Sequence, residues 1–325
     1  MNQKILTTKP SAGYALIDSG QGGKLERFGV FTLSRPDPQA LWTRSVSADV
    51  WQKAQGVFAR ENARDGKMQD SNVQNDKVKD NRARSEKIEK SSWKMKVGVP
   101  EKWQVAIGGL QFWIKPSSFK HVGVFPEQVG NWDWLREVIA SRRSIDQKFS
   151  EKISVLNLFG YTGGATLAAA QAGAEVCHVD GSKTAIAWAK ENAGISGLAT
   201  KPIRWILDDV TAFVKREVKR GKKYDGIIMD PPAFGRGPDG EVWKIEENLL
   251  PLAELCKQIM TPKPLFFLIN GYAAGYSAVA YENILKDLTK GWGGEIEFGE
   301  LAIEEEKTGR LLPAGIFGRW RGRKQ

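Results

Sequence analysis

Residues 155–167 read VLNLFGYTGGATL, and this stretch decides the fold class. A short apolar strand runs into a glycine-containing turn and then directly into a helix of small residues. Such a turn lets a ligand approach the backbone and meet the free amides of the helix N-terminus. Phe159 and Tyr161 stand where the dinucleotide fingerprint places glycines, which disfavours a nicotinamide dinucleotide as the ligand. A tight turn without a ligand is the alternative interpretation.

The same alternation of strand and helix patterns continues to the end of the chain. Helices are predicted at 163–172, 182–194, 210–219, 246–260 and 276–290, and strands at 153–159, 175–179, 203–207, 225–229 and 264–270. Nearly continuous apolar strands between helices predict a doubly wound, mostly parallel α/β sheet that is covered on both faces. Two further strand-like runs within 295–320 predict a hairpin at the edge of this sheet.

The first third of the chain has a different pattern. Short strand-like runs separated by turn residues predict a small β-rich domain over residues 1–118, followed by the α/β domain over 119–325. Residues 60–90 hold 16 charged residues in 31 and no aromatic residue. That composition predicts a solvated insertion that can remain disordered, and a charged, exposed helix over 76–90 is the alternative.

The composition excludes several classes of protein. The chain has 325 residues, 41% hydrophobic and 26% charged, with no apolar run near the ~20 residues of a membrane helix. Two cysteines and two histidines cannot build a disulfide framework or a convincing zinc site. The first ten residues lack the apolar stretch of a secretory signal. We therefore expect a soluble, cytoplasmic protein without a metal.

The excess of positive charge lies in the first domain. Residues 1–118 hold 20 basic and 12 acidic residues, a surplus of eight, whereas residues 119–325 hold 28 and 26, a surplus of two. A basic domain beside a nearly neutral one favours a polyanionic partner such as RNA, and solubility alone is the alternative. Five tryptophans of this domain could stack on bases, but we expect most of them to form its core. They are Trp42, Trp51, Trp93, Trp103 and Trp113.

Acidic residues close two of the predicted strands. Asp180 ends the strand after the glycine turn, where a carboxylate suits the hydroxyls of a ribose, and Ser182 begins the next helix as a candidate N-cap. Asp230 ends the strand at 225–229 and precedes two prolines, which make a rigid turn. That turn would present the Asp230 carboxylate beside the Phe234 ring, an arrangement that suits a flat ring bearing N–H groups. An ordinary strand-ending turn is the alternative.

Four motifs together resemble the class I S-adenosylmethionine (SAM)-dependent methyltransferases. They are NLFGYTGGATLAA at 157–169, HVDGS at 178–182, DD at 208–209 and DPPAFGRG at 230–237. Within that superfamily the chain most resembles the bacterial large-subunit (23S) ribosomal RNA methyltransferase group, over about residues 120–325. The resemblance implies a Rossmann-like, seven-stranded sheet, SAM as the cofactor and ribosomal RNA as the substrate.

The resemblance also implies roles for individual residues. The implied cofactor-binding residues are Phe125, Gln128, Phe159, Gly160, Tyr161, Thr162, Gly163, Asp180, Ser182, Asp209 and Asp230. Among them, Asp180 would bind the ribose and Asp209 the adenine amino group, with Asp208 as a less favoured neighbour. The implied catalytic residues are Asp230, Pro231 and Phe234, which would face the substrate base. Val129 replaces an arginine that is common in the group, which puts cofactor contacts near Gln128 in doubt.

The absence of a cysteine after the fifth predicted strand indicates the type of methyl acceptor. Methylation at C5 of a pyrimidine requires a cysteine nucleophile, which related enzymes carry after the fifth strand. Residues 267–274 hold none, and Cys256 falls in the preceding helix. An amino or ring nitrogen that attacks the methyl group directly is therefore favoured, with positioning as the main contribution of the protein. A small-molecule or protein methyltransferase and a nucleic-acid-binding module without catalysis are the alternatives; the oligomeric state stays open.

Overall fold

The computed structural model describes residues 3–60, 91–117, 120–145, 152–272 and 275–323. The predicted insertion at 60–90 lies, apart from Arg60, outside the described residues. The strands are β1 Lys4–Thr8, β2 Tyr14–Gly20, β3 Gly23–Phe28, β4 Phe31–Pro36, β5 Gly56–Arg60, β6 Ser91–Met95, β7 Trp103–Ile107, β8 Leu110–Ile114, β9 Ser154–Leu158, β10 Glu175–Asp180, β11 Ile203–Leu207, β12 Gly226–Met229, β13 Phe234–Arg236, β14 Val242–Lys244, β15 Phe266–Gly271, β16 Glu295–Glu304 and β17 Leu311–Arg321. The helices are α1 Ala48–Gln52, α2 Val129–Ile145, α3 Gly164–Gln171, α4 Lys183–Ile195, α5 Val210–Arg220, α6 Ile245–Gln258 and α7 Ala278–Leu288, with a 3-10 helix at Pro126–Gln128.

The largest sheet has eight strands in the order β1-β16-β17-β15-β12-β9-β10-β11. Strands β9, β10, β11, β12 and β15 run parallel, and β17 is antiparallel to both of its neighbours. The predicted doubly wound, mostly parallel fold is therefore confirmed. The chain proceeds from β9 to β10 and β11 on one side, then returns to β12 on the other. This change of direction places a switch point, where such sheets bind ligands, at the carboxyl end of β9.

Apolar residues alternate between the two faces of the central strands, and helices cover both. Leu156 and Leu158 pack with α5, α6 and α7 on one face, whereas Val155 packs with α2 and α3 on the other. Ile228 and its neighbours on β12 alternate in the same way. A strand buried on both faces explains why β9 and β12 read as continuous apolar runs.

Strand β1 adds an eighth strand to the seven expected. It runs parallel to β16, with Lys4 opposite Gly299. A side chain at Gly299 could not be accommodated, because its Cβ would lie 1.7 Å from the Lys4 carbonyl oxygen. The β16–β17 hairpin was expected to form the edge of the sheet, and that expectation was wrong because β1 covers it. The division of the chain near residue 118 stays a prediction, although β1 lies in the sheet of the second domain.

The remaining N-terminal strands form a five-stranded sheet, β2 to β6, and the separate hairpin β7–β8. Trp51 and Trp103 are buried, whereas Trp42, Trp93 and Trp113 are half-buried. The hairpin packs against the α/β part: Phe112 stacks on Trp132 with ring centroids 5.4 Å apart, and the Trp113 amide donates to Asn192 Oδ1 at 2.9 Å. Fixed contacts therefore hold β7–β8 beside α2 and α4.

A buried ion pair fixes the five-stranded sheet internally. The Glu26 carboxylate is fully buried and accepts hydrogen bonds from Arg35 Nε at 2.7 Å and from the Tyr14 hydroxyl at 2.8 Å. Arg35 also donates to the Lys120 carbonyl at 3.1 Å, which links this sheet to the segment that precedes α2. Because charges are costly to bury without partners, each member of this cluster depends on the others.

The substitution Arg35→Met tests this dependence. It leaves the Glu26 carboxylate buried without its principal cation, so we expect the free energy of unfolding to fall by about 3–5 kcal/mol. Urea denaturation of Arg35→Met and of the exposed-site control Arg204→Met would measure the loss. A decrease in Arg35→Met no larger than in the control would contradict the role of the pair.

Candidate active site

A cavity of about 540 Å³ lies where β9, β10 and β12 end. Seven of the residues predicted from the sequence line it: Phe125, Phe159, Tyr161, Asp180, Ser182, Asp209 and Asp230. An adjoining space of about 40 Å³ shares several of these walls and is lined in addition by Gln128, Gly160, Thr162 and Gly163. Every predicted cofactor-binding residue therefore lines one of these two spaces. Pro231 and Phe234 line neither.

The loop after β9 has an unusual backbone. Phe159 and Tyr161 have φ values of 57° and 47°, the left-handed region that side chains with a Cβ rarely adopt. Two hydrogen bonds hold the loop in this form: the Gly160 amide donates to the Val179 carbonyl at 3.1 Å, and the Tyr161 amide donates to Asp180 Oδ2 at 2.8 Å. The loop is thus fastened to the end of β10.

Gly160 is the point of closest approach in this loop. A Cβ there would lie 2.4 Å from the His178 ring, so a larger residue would displace either the loop or β10. The His178 Nδ1 lies 2.9 Å from the Thr166 hydroxyl, and burial lowers the pKa of the imidazole to about 3. His178 is therefore a neutral packing residue beneath the loop, in agreement with its assignment to a buried strand.

Asp180 holds its carboxylate at the end of β10 by two backbone contacts. Oδ1 accepts from the Ser182 amide and Oδ2 from the Tyr161 amide, both at 2.8 Å. Burial raises the pKa of Asp180, while these two donors oppose the increase. Each oxygen keeps a second lone pair, and the residue lines the cavity, so it can still accept from a hydroxyl of a bound ribose.

Several other predicted residues also have local structural tasks. Ser182 is the N-cap of α4 and its hydroxyl accepts from the Ala185 amide at 3.2 Å. Asp209 is the N-cap of α5, and Asp208 forms an ion pair with Arg216. The Thr162 hydroxyl donates to the Gly123 carbonyl at 2.6 Å. Such contacts fix the walls of the cavity and leave only part of each side chain for a ligand.

Asp230 lies at the end of β12 with a carboxylate oxygen, Oδ1, that is buried and forms no hydrogen bond within the described residues. Burial, with a smaller contribution from the nearby Glu127, raises the pKa of this carboxyl to about 7. An unsatisfied acceptor of this kind is costly and frequently marks a functional site.

Phe234 lies on the outer surface, away from the cavity. It is 57% exposed and begins β13, which pairs with β14 as a hairpin at the cavity mouth. Its neighbours Gly235 and Arg236 both line the cavity, so on β13 the cavity wall begins one residue after Phe234. Pro231 fixes the turn but contributes no lining atom to either space.

Two aromatic residues of the site were missed by the sequence analysis. Trp243 on β14 lines the cavity, lies 4.7 Å from the Phe159 ring and donates its indole N–H to the Pro232 carbonyl at 2.8 Å. Tyr272 follows β15, 5.1 Å from the Phe125 ring. The rule that ligands bind at strand ends could have identified Tyr272. The position of Trp243 in the cavity wall depends on the β13–β14 hairpin, which the sequence pattern did not predict.

Comparison with known proteins identifies the family to which this chain belongs. A solved structure of the SAM-dependent methyltransferase from Agrobacterium tumefaciens is similar along nearly the whole length, with a TM-score of 0.84 and 37% identity over 98% of this chain and 94% of that one. This chain belongs to the SAM-dependent methyltransferases. A second methyltransferase structure, from Streptococcus mutans, is 15% identical over 95% of this chain and 75% of that one; its TM-score of 0.64 supports the fold alone.

One protein family and several curated relatives match parts of this chain. The family described as RNA cap guanine-N2 methyltransferase matches residues 152–268. Ribosomal RNA large subunit methyltransferase K of Neisseria meningitidis is 25% identical over 186 residues, which is 56% of this chain and 49% of that protein. The K/L enzyme of Shewanella baltica is 42% identical over 135 residues, 40% of this chain and 18% of that protein. The chain thus spans half or less of the length of these curated relatives.

The described residues show neither a candidate membrane span nor a candidate metal site. None of their helices combines the length and apolarity needed to cross a bilayer. Within the same residues, histidine, cysteine and acidic side chains do not gather in groups that could hold a metal ion. The predicted SAM cofactor and methyltransferase activity are confirmed by the family, whereas the roles of individual residues stay predictions.

The substitution Asp180→Ala tests the cofactor site. It removes a charged hydrogen-bond acceptor and loosens the Tyr161 loop, so we expect the dissociation constant of SAM to increase by about 10- to 100-fold. Isothermal titration calorimetry would measure the change, with Asp287→Ala on the exposed side of α7 as the matched control. Unchanged affinity in Asp180→Ala would refute the assignment of this carboxylate to the cofactor.

Proposed function

We propose that this methyltransferase methylates a nitrogen of a base in ribosomal RNA. The observation that carries the proposal is the Asp230 carboxylate at the rigid turn beside the cavity, whose buried Oδ1 has no hydrogen-bond partner among the described residues. An oxygen in that position accepts a hydrogen bond from an N–H group and can take its proton. The curated relatives that are named ribosomal RNA methyltransferases supply the substrate class.

The residues of the cavity fit SAM. A volume of about 540 Å³ is within the range of sites for ligands of this size. The Asp180 carboxylate would hold the ribose, Asp209 would meet the adenine, and the loop at 159–163 would surround the methionine portion. SAM supplies a methyl group on a positively charged sulfur, which is a good leaving group without help from an acid.

Asp230 would orient the acceptor nitrogen and ease the loss of its proton. A carboxyl with a pKa near 7 is a better proton acceptor at neutral pH than an ordinary aspartate. Phe125 and Tyr272 form an aromatic wall beside it, with ring centroids 5.1 Å apart, on which a flat base could stack. The protein thus contributes mainly position and orientation.

Cysteine-dependent methylation at carbon has no support in this site. Cys177 and Cys256 are both buried in the core and line neither of the two spaces that form the site. Burial raises the pKa of the Cys177 thiol to about 11 and that of Cys256 further still, so neither thiol is a ready nucleophile. These positions support a nitrogen acceptor.

The surface around the cavity mouth suits an RNA strand. Phe234 and Val242 on the β13–β14 hairpin are 57% and 50% exposed, and the exposed cation Arg236 of the same hairpin lines the cavity. Lys244, on the same hairpin, pairs with Glu247 at 2.7 Å. Exposed aromatic and basic side chains that lie close together are typical of surfaces that stack bases and contact phosphates. The N-terminal basic surplus lies in the same chain and supports an RNA-holding role for residues 1–118.

A side-by-side transfer assay tests the substrate class. We expect methyl label from SAM to enter ribosomal RNA when the protein is incubated separately with total RNA, total protein and small metabolites. Heat-denatured protein is the control for spontaneous methylation. Label confined to the protein or metabolite fraction would overturn RNA as the substrate.

The substitution Asp230→Asn tests the proton acceptor. We expect turnover on RNA to fall about 100-fold, because an amide cannot take the proton, while SAM affinity changes less than 10-fold. With SAM at saturation, kcat/KM for RNA in the parent enzyme should rise with pH through about 7 as the carboxyl ionises, and this rise should vanish in Asp230→Asn. Steady-state kinetics from about pH 5.5 to about pH 8.5 would measure both effects. Equal activity of the two proteins would remove Asp230 from the mechanism.

A further inference from the structure

Two acidic side chains lie in the wall between the main cavity and a second cavity of about 160 Å³. Asp230 lines the main cavity, Glu127 lines the second, and the Tyr272 side chain contributes to both linings. Glu127 belongs to the 3-10 helix before α2 and is 5% exposed. The cofactor site is therefore bordered by a buried carboxyl that the methyl-transfer mechanism does not use.

Neither carboxyl has a neutralising partner within the described residues. No ion pair is formed there by Glu127 or Asp230, although Lys24 and Arg35 lie near Glu127. These two cations are engaged elsewhere: Lys24 pairs with Asp37 at 3.2 Å, and Arg35 donates to Glu26 at 2.7 Å. The pair of acids thus keeps an excess of negative charge beside the cavity.

Acidic side chains outnumber cations among the titratable groups around the two cavities. Besides Glu127 and Asp230, the groups that face them or line the two cavities are Tyr14, Lys24, Glu26, Arg35, Asp37, Lys120, His121, Tyr161, Asp180, Asp208, Asp209, Arg236, Tyr272 and Tyr281. Burial lowers the pKa of His121 to about 4, so this ring is neutral at pH 7. Burial also raises the pKa of Glu127 to about 7, and the mutual repulsion of Glu127 and Asp230 adds to the increase in Asp230.

We infer that Glu127, together with Asp230, makes this site prefer the positively charged cofactor over the product. SAM carries a positive sulfur as well as an ammonium group, whereas S-adenosylhomocysteine has lost the methyl group and its sulfur is neutral. A cation in the main cavity would compensate two carboxylates that are otherwise costly to ionise. After transfer that compensation is lost, which weakens product binding. The inference rests on the proposed cofactor site and not on RNA as the substrate.

The same electrostatic interactions couple the binding of SAM to the release of protons from Glu127 and Asp230. In the ligand-free protein the two carboxyls are partly protonated at neutral pH, and a bound cation favours their ionised forms. SAM binding should therefore release protons near pH 7, and SAM affinity should increase as the pH rises from about 6 to 8. S-Adenosylhomocysteine, which lacks the charged sulfur, should release fewer protons and show a weaker dependence on pH.

Calorimetry with both ligands tests the inference. Titrations of the full-length protein at about pH 6, 7 and 8, in buffers of different ionisation enthalpy, would give affinities and proton release together. We expect SAM to be preferred over S-adenosylhomocysteine by about 3- to 10-fold more at the highest pH than at the lowest. Glu127→Gln should reduce this gain and the proton release, whereas Glu127→Asp should retain part of both. Glu254→Gln, on the exposed face of α6, is the matched control.

The outcomes separate this inference from the cofactor site itself. Failure of the parent protein to bind either ligand would refute the proposed site and the inference with it. A parent protein that binds both ligands, with equal proton release and a constant preference across the pH range, would refute the role of the acids alone. A folded Glu127→Gln that keeps the parent preference would assign any pH effect to Asp230 and overturn the role of Glu127.

Discussion

One contact organises the whole ligand-binding end of this methyltransferase: the hydrogen bond from the Tyr161 amide to the Asp180 carboxylate, at 2.8 Å. It joins the loop after β9 to the end of β10 and supports two residues, Phe159 and Tyr161, in a backbone conformation that costs energy for side chains with a Cβ. Without that support the loop would relax. The Phe159 ring would then lose its contact with Trp243, and the cavity would lose the wall between β9 and β14.

The strand ends could be predicted because local pattern and function coincide there. Continuous apolar runs are visible in sequence, and each ends in a residue whose polarity breaks the run, as Asp180 and Asp230 do. Their convergence at one edge follows from the topology of a parallel sheet. The order of the central strands and helices, and the polar residues at their carboxyl ends, therefore needed no structural information.

The other features depend on partners that are distant in sequence. The hairpin in which Phe234 pairs with Lys244 was not predicted, and it leaves the Phe234 ring exposed outside the cavity. Trp243, on the opposite strand of that hairpin, lines the cavity instead. Strand β1 joined the larger sheet because Gly299 admits its backbone, and short apolar runs carry no signal for such pairing.

The placement of β1 has a consequence for biosynthesis. Strand β1 pairs with β16, and the Lys4 side chain on β1 contacts the Glu297 carboxylate on β16, 293 residues further along the chain. Strand β1 is therefore synthesised long before β16, its neighbour in the sheet among the described strands. The central strands and their helices can fold before β1 joins the sheet, because the residues that contact one another there are closer in sequence. Strand β1, at one edge of the sheet, is thus made before the strand it pairs with and joins the sheet late.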